Sequence, residues 1–426
     1  MQKILSLAGI VLFSVSLSAV AEPMDEMSEV DKQCVPLAKW KTSKGIVHDN
    51  KDILHSLSKT KVVLLGEDHD NPEHHRWQLH TIAELYALEP NMVLGFEAFP
   101  RSTQKVLDQF VAGELSEKEF LDAVNWEKIW RFNKDFYVPM FHFARMNKIP
   151  MYALNVDRSL VSTVSQKGWE NIPEDEREGI SDPAEASADY LEMLAGVFSQ
   201  HMPKHAHKQT AETKSHDEKK TDSNHKAEDS FQLSEDEIKE ILFNPSFRRF
   251  AQGQQLWDRA MAEVFYKAVE KDKKPLIVGV LGAGHIMGGF GVPHQLKAMG
   301  VKNVKTLMAW DGTLACDQLK EGTVDIAFGV AVASEEEKNA DDHPRLGVYL
   351  ENDGGVVVTR LVPGSVSETL GMKVGDKITV IAGKPVIKVA DIVEAVKATA
   401  FGTWLPMTIV RDQTSLELVA KFPAKQ

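Results

Sequence analysis

Residues 63–70 read Val63-Leu64-Leu65-Gly66-Glu67-Asp68-His69-Asp70, and the chain continues Asn71-Pro72-Glu73-His74-His75. The aliphatic run KVVLL at 61–65 has the length and β-branched content of a buried strand. It ends on two carboxylates and a histidine. Gly66 allows a tight turn, and Glu67 and His69, two residues apart, face the same way where extended geometry persists. A carboxylate beside an imidazole equips general acid/base chemistry or metal binding. A plainer reading has Glu67 and Asp68 capping the helix that follows.

Outward from this stretch, NMVLGF at 91–96 forms a second apolar run, separated from the first by a helical-looking segment at 73–88. That is a βαβ signature. PMYALN at 150–155, PLIVGVL at 275–281 and VKTLM at 304–308 add strands with amphipathic stretches between them. The expected fold class is α/β, a mainly parallel sheet flanked by helices and buried on both faces. In such sheets the chemistry gathers at the carboxyl ends of the strands.

The strand at 276–281 runs into Gly282-Ala283-Gly284-His285, again a strand, a glycine, two residues and a histidine. If the two strands are parallel neighbours, His69 and His285 meet at a common rim. The strand at 92–96 delivers Glu97 to the same edge, with Arg101 a few residues on. Three strands each contributing a polar residue favour a site over three helix caps. Gly282, Gly284 and Gly288 are spaced one residue longer than the dinucleotide fingerprint, and no G-x-x-x-x-G-K-[ST] occurs, which argues against a phosphate cradle.

The 426 residues leave room for two or three domains. A net charge of −13 without a basic block excludes binding to a nucleic-acid backbone, which rests on clustered Lys and Arg. Lys3, the apolar stretch 4–20 and Ala19-Val20-Ala21 before Glu22 fit a cleaved secretory signal over 1–21, giving a periplasmic or secreted chain. An uncleaved anchor is the competing reading, which the shortness and serines of the stretch weaken. No later segment has 18 consecutive apolar residues, so no further membrane crossing is expected. In an oxidising compartment Cys34 and Cys316 could pair, or they could remain two unrelated thiols.

Residues 201–229 are rich in Lys, His, Asp, Glu, Ser and Thr and interrupt the α/β pattern as a His-rich insertion expected to be disordered. Its histidines suggest weak metal or haem capture; a solvated insertion without fixed geometry is the simpler account. The acidic stretch EEEKNADDH at 335–343 reads as a linker.

Beyond the linker the ordered series Val362-Pro363-Gly364-Ser365, Gly371-x-x-x-Gly375-Asp376 and Gly383-Lys384-Pro385-Val386, with a helix candidate at 390–398, resembles a bacterial periplasmic PDZ domain over 344–423. The resemblance implies a small β-rich domain that takes an extended or C-terminal peptide by strand addition between its second strand and long helix. By position, Leu346, Gly347 and Val348 correspond to the loop that holds the peptide carboxylate. A domain that only packs against the first is the alternative.

The first domain, expected over 35–333, carries G-E-D-H after a strand, then G-F-E-A-F-x-R, PMYALNVDR at 150–158, QQLWDRAMA at 254–262, and L-G-A-G-H with Gly291-Val292-Pro293. This series is similar to the ChaN family of the Tiki superfamily. The resemblance implies haem binding and a role in iron uptake, with dimers holding haems face to face. Family members are lipoproteins, whereas this sequence has no cysteine placed to carry a lipid at a new N-terminus. Elsewhere in the superfamily the paired G-x-x-H motifs serve metal-dependent proteolysis or lactone hydrolysis. That alternative would make His69, His285 and Glu67 ligands of a divalent metal or bases, Glu97 a second carboxylate and Arg101 the stabiliser of an oxyanion. A scaffold led by the PDZ domain is a third reading.

For haem, the iron ligand stays open among tyrosine and histidine. Tyr137 and His142 stand in the aromatic segment WRFNKDFYVPMFHF at 130–143, which could wall a flat apolar ligand or serve as ordinary core.

Overall fold

The aliphatic run at 61–65 forms β3 (Val62–Glu67), every residue of it buried. In the computed structural model, which describes residues 34–201, 233–270, 274–334 and 344–424, it lies at the middle of an eight-stranded sheet. The expected signal segment, nearly all of the His-rich insertion and the expected acidic linker lie outside the described residues. The other strands are β1 (Trp40–Thr42), β2 (Val47–His48), β4 (Met92–Pro100), β5 (Met151–Asn155), β6 (Leu276–Gly282), β7 (Val304–Trp310) and β8 (Ile326–Gly329). Their order is β2-β1-β8-β7-β3-β6-β4-β5. Six strands run parallel, while β1 and β2 close one edge antiparallel. The five expected strands are present, and β1, β2 and β8 are additions too short for periodicity to signal.

The pleat distributes side chains to both faces. Leu94 and Phe96 of β4 enter one core with Leu65, Phe99 and Phe141, while Val93 enters the other with Leu64, Phe265 and Ile277. Gly95 and Gly279 are adjacent on β4 and β6 because the long helix Pro245–Val269 drops Phe265 onto them. A Cβ at either glycine would stand 2.6 Å from that ring. The missing side chains thus let the helix approach the sheet closely.

The C-terminal unit is a second, antiparallel sheet, β14-β13-β11-β10-β9, built from β9 (Val348–Asn352), β10 (Val356–Leu361), β11 (Lys377–Ile381), β13 (Trp404–Arg411) and β14 (Thr414–Lys421), with β12 (Lys384–Pro385) paired to β11. It has its own core, including Val356, Ile378, Ile392 and Ile409. The Gly-Asp motif has a structural purpose here: buried Asp376 accepts two hydrogen bonds from Arg411, both 2.7 Å, and one from the Lys373 N–H at 2.8 Å. The helix Val389–Lys397 packs beside β9, which is an edge strand.

Candidate functional site

β3 and β6 are parallel neighbours in a register that sets Glu67 opposite Gly282, and β4 flanks β6 on its other side. The carboxyl ends of three strands therefore deliver Glu67, His69, Glu97 and His285 to one rim, as the two G-x-x-H motifs predict. Capping does not explain the acidic pair. The helix Pro72–Leu88 is capped by Asn71, whose side chain accepts from the Glu73 N–H, with Pro72 in the first turn.

Glu67 is buried and anchors a small network. Its Oε1 accepts from the Tyr137 hydroxyl at 2.5 Å and meets His69 Nδ1 at 2.8 Å. Its Oε2 lies 3.3 Å from His75 Nδ1. His75 also reaches back through Nε2 to the His69 carbonyl at 3.2 Å. The buried His74 accepts the Asp68 N–H on Nδ1 at 2.9 Å, which fixes the turn. Burial keeps His74 below the usual imidazole value, in keeping with an acceptor nitrogen. The two histidines one turn after the strand are buttresses of His69.

A second relay faces the first. His285 stands in the short turn Ala283–His285, with Nδ1 2.8 Å from Asp258 Oδ1 and Nε2 3.3 Å from Glu97 Oε1. Asp258 is fully buried and takes the Tyr190 hydroxyl on Oδ2 at 2.5 Å. Glu97 also accepts the Gly282 N–H at 2.6 Å. The site thus contains two phenol–carboxylate–imidazole chains, Tyr137–Glu67–His69 and Tyr190–Asp258–His285, with Glu97 between the imidazoles.

The charges follow from this geometry. Burial alone would push the His285 imidazole down; the Glu97 charge, the Asp258 hydrogen bond and the remaining contacts with these carboxylates overcome it and raise His285 to about 10. Glu97 is pushed up by burial but held at about 2 by His285, with smaller help from His69 and the Gly282 N–H. His69 is likewise opposed by burial and still raised, chiefly by its hydrogen bond to Glu67 and by the Glu97 charge. Burial and Asp258 hold the Tyr190 phenol far above its ordinary range.

The sign of the pH dependence follows. Glu97 titrates below its ordinary 4.5, so its contribution is whole above that value and disappears as pH falls through about 2. His285 titrates above its ordinary 6.5, so its contribution is whole below that value and disappears as pH rises through about 10. Thermal melts across pH should show the first domain losing stability on the alkaline side between 6.5 and 10, and a His285→Gln variant should have a flatter alkaline limb.

Above the relays opens a cleft of about 560 Å³ lined by His69, Glu97, Trp130, Phe132, Trp257 and His285, with Ile129 and Val156 among its apolar neighbours. The His69 ring lies 4.8 Å from Trp130 and 4.7 Å from Phe132, centroid to centroid, and Trp257 meets His285 edge-on at 5.9 Å. The buried indole nitrogen of Trp257 has no hydrogen-bond partner among the described residues. Exposed Lys128 and Arg158 stand at the cleft wall. His69 is the imidazole whose second nitrogen remains open: Nδ1 is taken by Glu67, and no described residue hydrogen-bonds Nε2. That nitrogen passes so close to Gly282 that a Cβ there would lie 3.0 Å from it.

Three expectations need correction. Arg101 turns away from the rim, donating to the Ala260 carbonyl at 2.6 Å and lying 3.5 Å from Glu263, so it is a strut between β4 and the long helix. Tyr137 and His142 do not line the cleft. Tyr137 is buried behind Glu67, and His142 pairs with Glu117 at 2.9 Å beside Phe110. The donor set His69, His285 and Glu67 does not converge on a common point: both nitrogens of His285 face carboxylates, and Glu67 lies behind His69. Among the described residues no three His, Cys, Asp or Glu side chains form a metal-holding group. Asp258 and Tyr190 were not singled out from sequence, although Asp258 lies inside QQLWDRAMA; an acidic residue amid the apolar positions of a helix was the available signal.

In the C-terminal sheet Gly347 has φ +77°, a left-handed conformation that suits glycine, and its Cβ would stand 2.3 Å from that of Ser365. The Gly347 carbonyl accepts from the Val362 N–H at 2.8 Å and the Leu346 carbonyl from the Ser367 N–H at 2.9 Å. Gly347→Val should therefore lower the melting temperature of this domain while leaving that of the first unchanged, as differential scanning calorimetry can separate.

A family model described as haem-binding uptake, Tiki superfamily, ChaN matches residues 53–296, and a PDZ-domain model matches residues 357–411. No curated protein matches. Among solved structures, one described as cofacial heme binding to ChaN of Campylobacter jejuni is 17% identical, covering 68% of this chain and 95% of that one with a TM-score of 0.48. A serine endoprotease from Yersinia pestis is 21% identical over 20% of this chain and 30% of that one, TM-score 0.18. An HtrA3 PDZ domain bound to a phage-derived ligand is 22% identical over 18% of this chain and 82% of that one, TM-score 0.16. With more than half of its residues inside the first match, the chain belongs to the ChaN family of haem-binding uptake proteins in the Tiki superfamily, and it carries a PDZ domain after the family's α/β domain.

Proposed function

We propose that the cleft over the twin relays binds ferric haem and that the chain handles haem or iron in the periplasm, with its PDZ domain recruiting a peptide partner. One observation carries the haem reading: an aromatic-walled cleft of about 560 Å³ whose floor presents one imidazole nitrogen with no partner among the described residues. The volume is within the range of small-molecule sites, about 300–1,000 Å³. The other donors fit the same ligand. Trp130, Phe132 and Trp257 offer apolar faces, and Lys128 and Arg158 suit paired carboxylates. Haem, when bound, would supply a ferric centre able to take a nitrogen or oxygen donor from the protein. His69 is the residue best placed to provide it, with Glu67 fixing the ring through Nδ1.

Because Glu67 and Glu97 favour the protonated imidazole, a proton competes for His69. Haem affinity should accordingly rise with pH through the His69 titration, and an absorbance titration repeated at several pH values checks the direction. A His69→Ala variant should lose this pH dependence.

The export assignment rests on the n-region, apolar stretch and A-x-A site of the first 21 residues. No helix among the described residues is long and apolar enough to cross a membrane. For the PDZ domain, the edge strand β9 beside the helix Val389–Lys397 supports strand addition. The inward carbonyls of Leu346 and Gly347 support an amide-lined loop, ending at Val348, for a peptide carboxylate. Binding of peptides with a free and with an amidated C-terminus, compared by fluorescence anisotropy, tests this: only the free carboxylate should bind.

A further inference from the structure

The chain has two cysteines, and the fold brings them together from opposite ends of the first domain. Cys34 precedes β1, while Cys316 lies in the short turn Cys316–Gln318 after β7. Both are free thiols, and Cys34 packs against the segment that carries Cys316, beside Leu314 and Leu319. Independent contacts hold the two segments in place. Cys34, Leu314 and Leu319 pack on Val35, Trp310 and Ala327. β1 pairs antiparallel with β8, and the Ala38 N–H reaches the Gly329 carbonyl at 2.9 Å while the Gly329 N–H reaches that of Lys39 at 3.0 Å. Lys41 reaches across with Nζ 2.7 Å from the Cys34 carbonyl and 3.7 Å from its sulfur.

We infer that Cys34 and Cys316 form an intramolecular disulfide that ties the N-terminal edge of the sheet to the turn after β7. With two cysteines only one intramolecular pairing exists, so no alternative connectivity competes. The neighbouring Cys34 holds the exposed Cys316 thiol above its ordinary value, with desolvation adding to it. The bridge forms by thiol–disulfide exchange with an external disulfide oxidant, such as the disulfide form of a thiol oxidoreductase or oxidised glutathione. Cys316 is exposed and meets the oxidant first; its thiolate attacks one oxidant sulfur and expels the other as a thiolate. Cys34, already alongside, then attacks the Cys316 sulfur as a thiolate and expels the second. Two protein thiols are oxidised, one external disulfide is reduced to two thiols, and the two protons pass to those leaving groups. The inference is independent of the haem reading, since neither sulfur lines the cleft.

The test incubates the full chain with oxidised glutathione, then alkylates it under denaturing conditions and maps peptides by mass. The expected result is loss of both alkylatable thiols and one cross-linked peptide containing Cys34 and Cys316. Reductant should then lower the melting temperature of the first domain by roughly 5–15 °C, a loss absent from a C34S/C316S double variant. Two thiols that remain alkylatable, two stable glutathione adducts, or a bridge found only between chains would each overturn the inference.

Discussion

Asp258→Ala is expected to destabilise the first domain by about 3–5 kcal/mol, the scale of breaking a buried ion pair from one side. The fully buried carboxylate holds the Tyr190 hydroxyl on one oxygen and the His285 imidazolium on the other. Its removal leaves a phenol without an acceptor and a buried cation that keeps only Glu97. Asp258→Asn preserves the shape and can still accept one hydrogen bond, so its cost should be smaller. Urea unfolding followed by tryptophan fluorescence checks both, because Trp404 is the one tryptophan of the eight that belongs to the C-terminal domain. Equal losses for the two variants would mean that charge pairing at His285 contributes little.

His69→Ala should weaken ferric haem binding by roughly 10–100-fold and move the Soret band, the scale on which metal-site replacements act. The side chain is partly exposed, so the fold should survive its loss. Three comparisons make the result specific. His142→Ala should leave binding unchanged, because that ring pairs with Glu117 away from the cleft. Tyr137→Phe removes a buried hydroxyl that donates to Glu67 and should lower stability without shifting the Soret band. A replaced Lys128 or Arg158 should weaken affinity without altering the iron spectrum, since these residues stand at the cleft wall, where they would meet a ligand's carboxylates.

The rim was legible because strand ends in parallel sheets carry their polar residues in short local motifs. Val62 to Glu67 and Leu276 to Gly282 announce themselves as apolar runs, and the residue after each glycine turn is readable without knowing the pairing. Adjacent placement of β3 and β6, posed as a condition, is met in the structure. What lay beyond reach were partners whose relation depends on helix rotation. Asp258 and Tyr190 meet across two helices distant in sequence, and nothing local marks either as a partner of His285. Arg101 shows the converse error: its nearness to Glu97 in sequence suggested the site, but the chain after β4 turns it onto the Ala260 carbonyl. Tyr137 and His142 shared an aromatic stretch, yet the helix Lys134–Asn147 sends one behind Glu67 and the other toward Glu117. The PDZ series was legible because its glycines are conformational requirements, as at Gly364 and Gly375, both in the left-handed region.

Titration of the full chain with ferric haem, followed by absorbance, tests the central claim most directly. Saturation at one haem per chain, with a shifted Soret band that changes in His69→Ala, is the predicted result. A spectrum that grows linearly without saturation, or a saturable one indifferent to His69, would contradict a haem site at the strand ends.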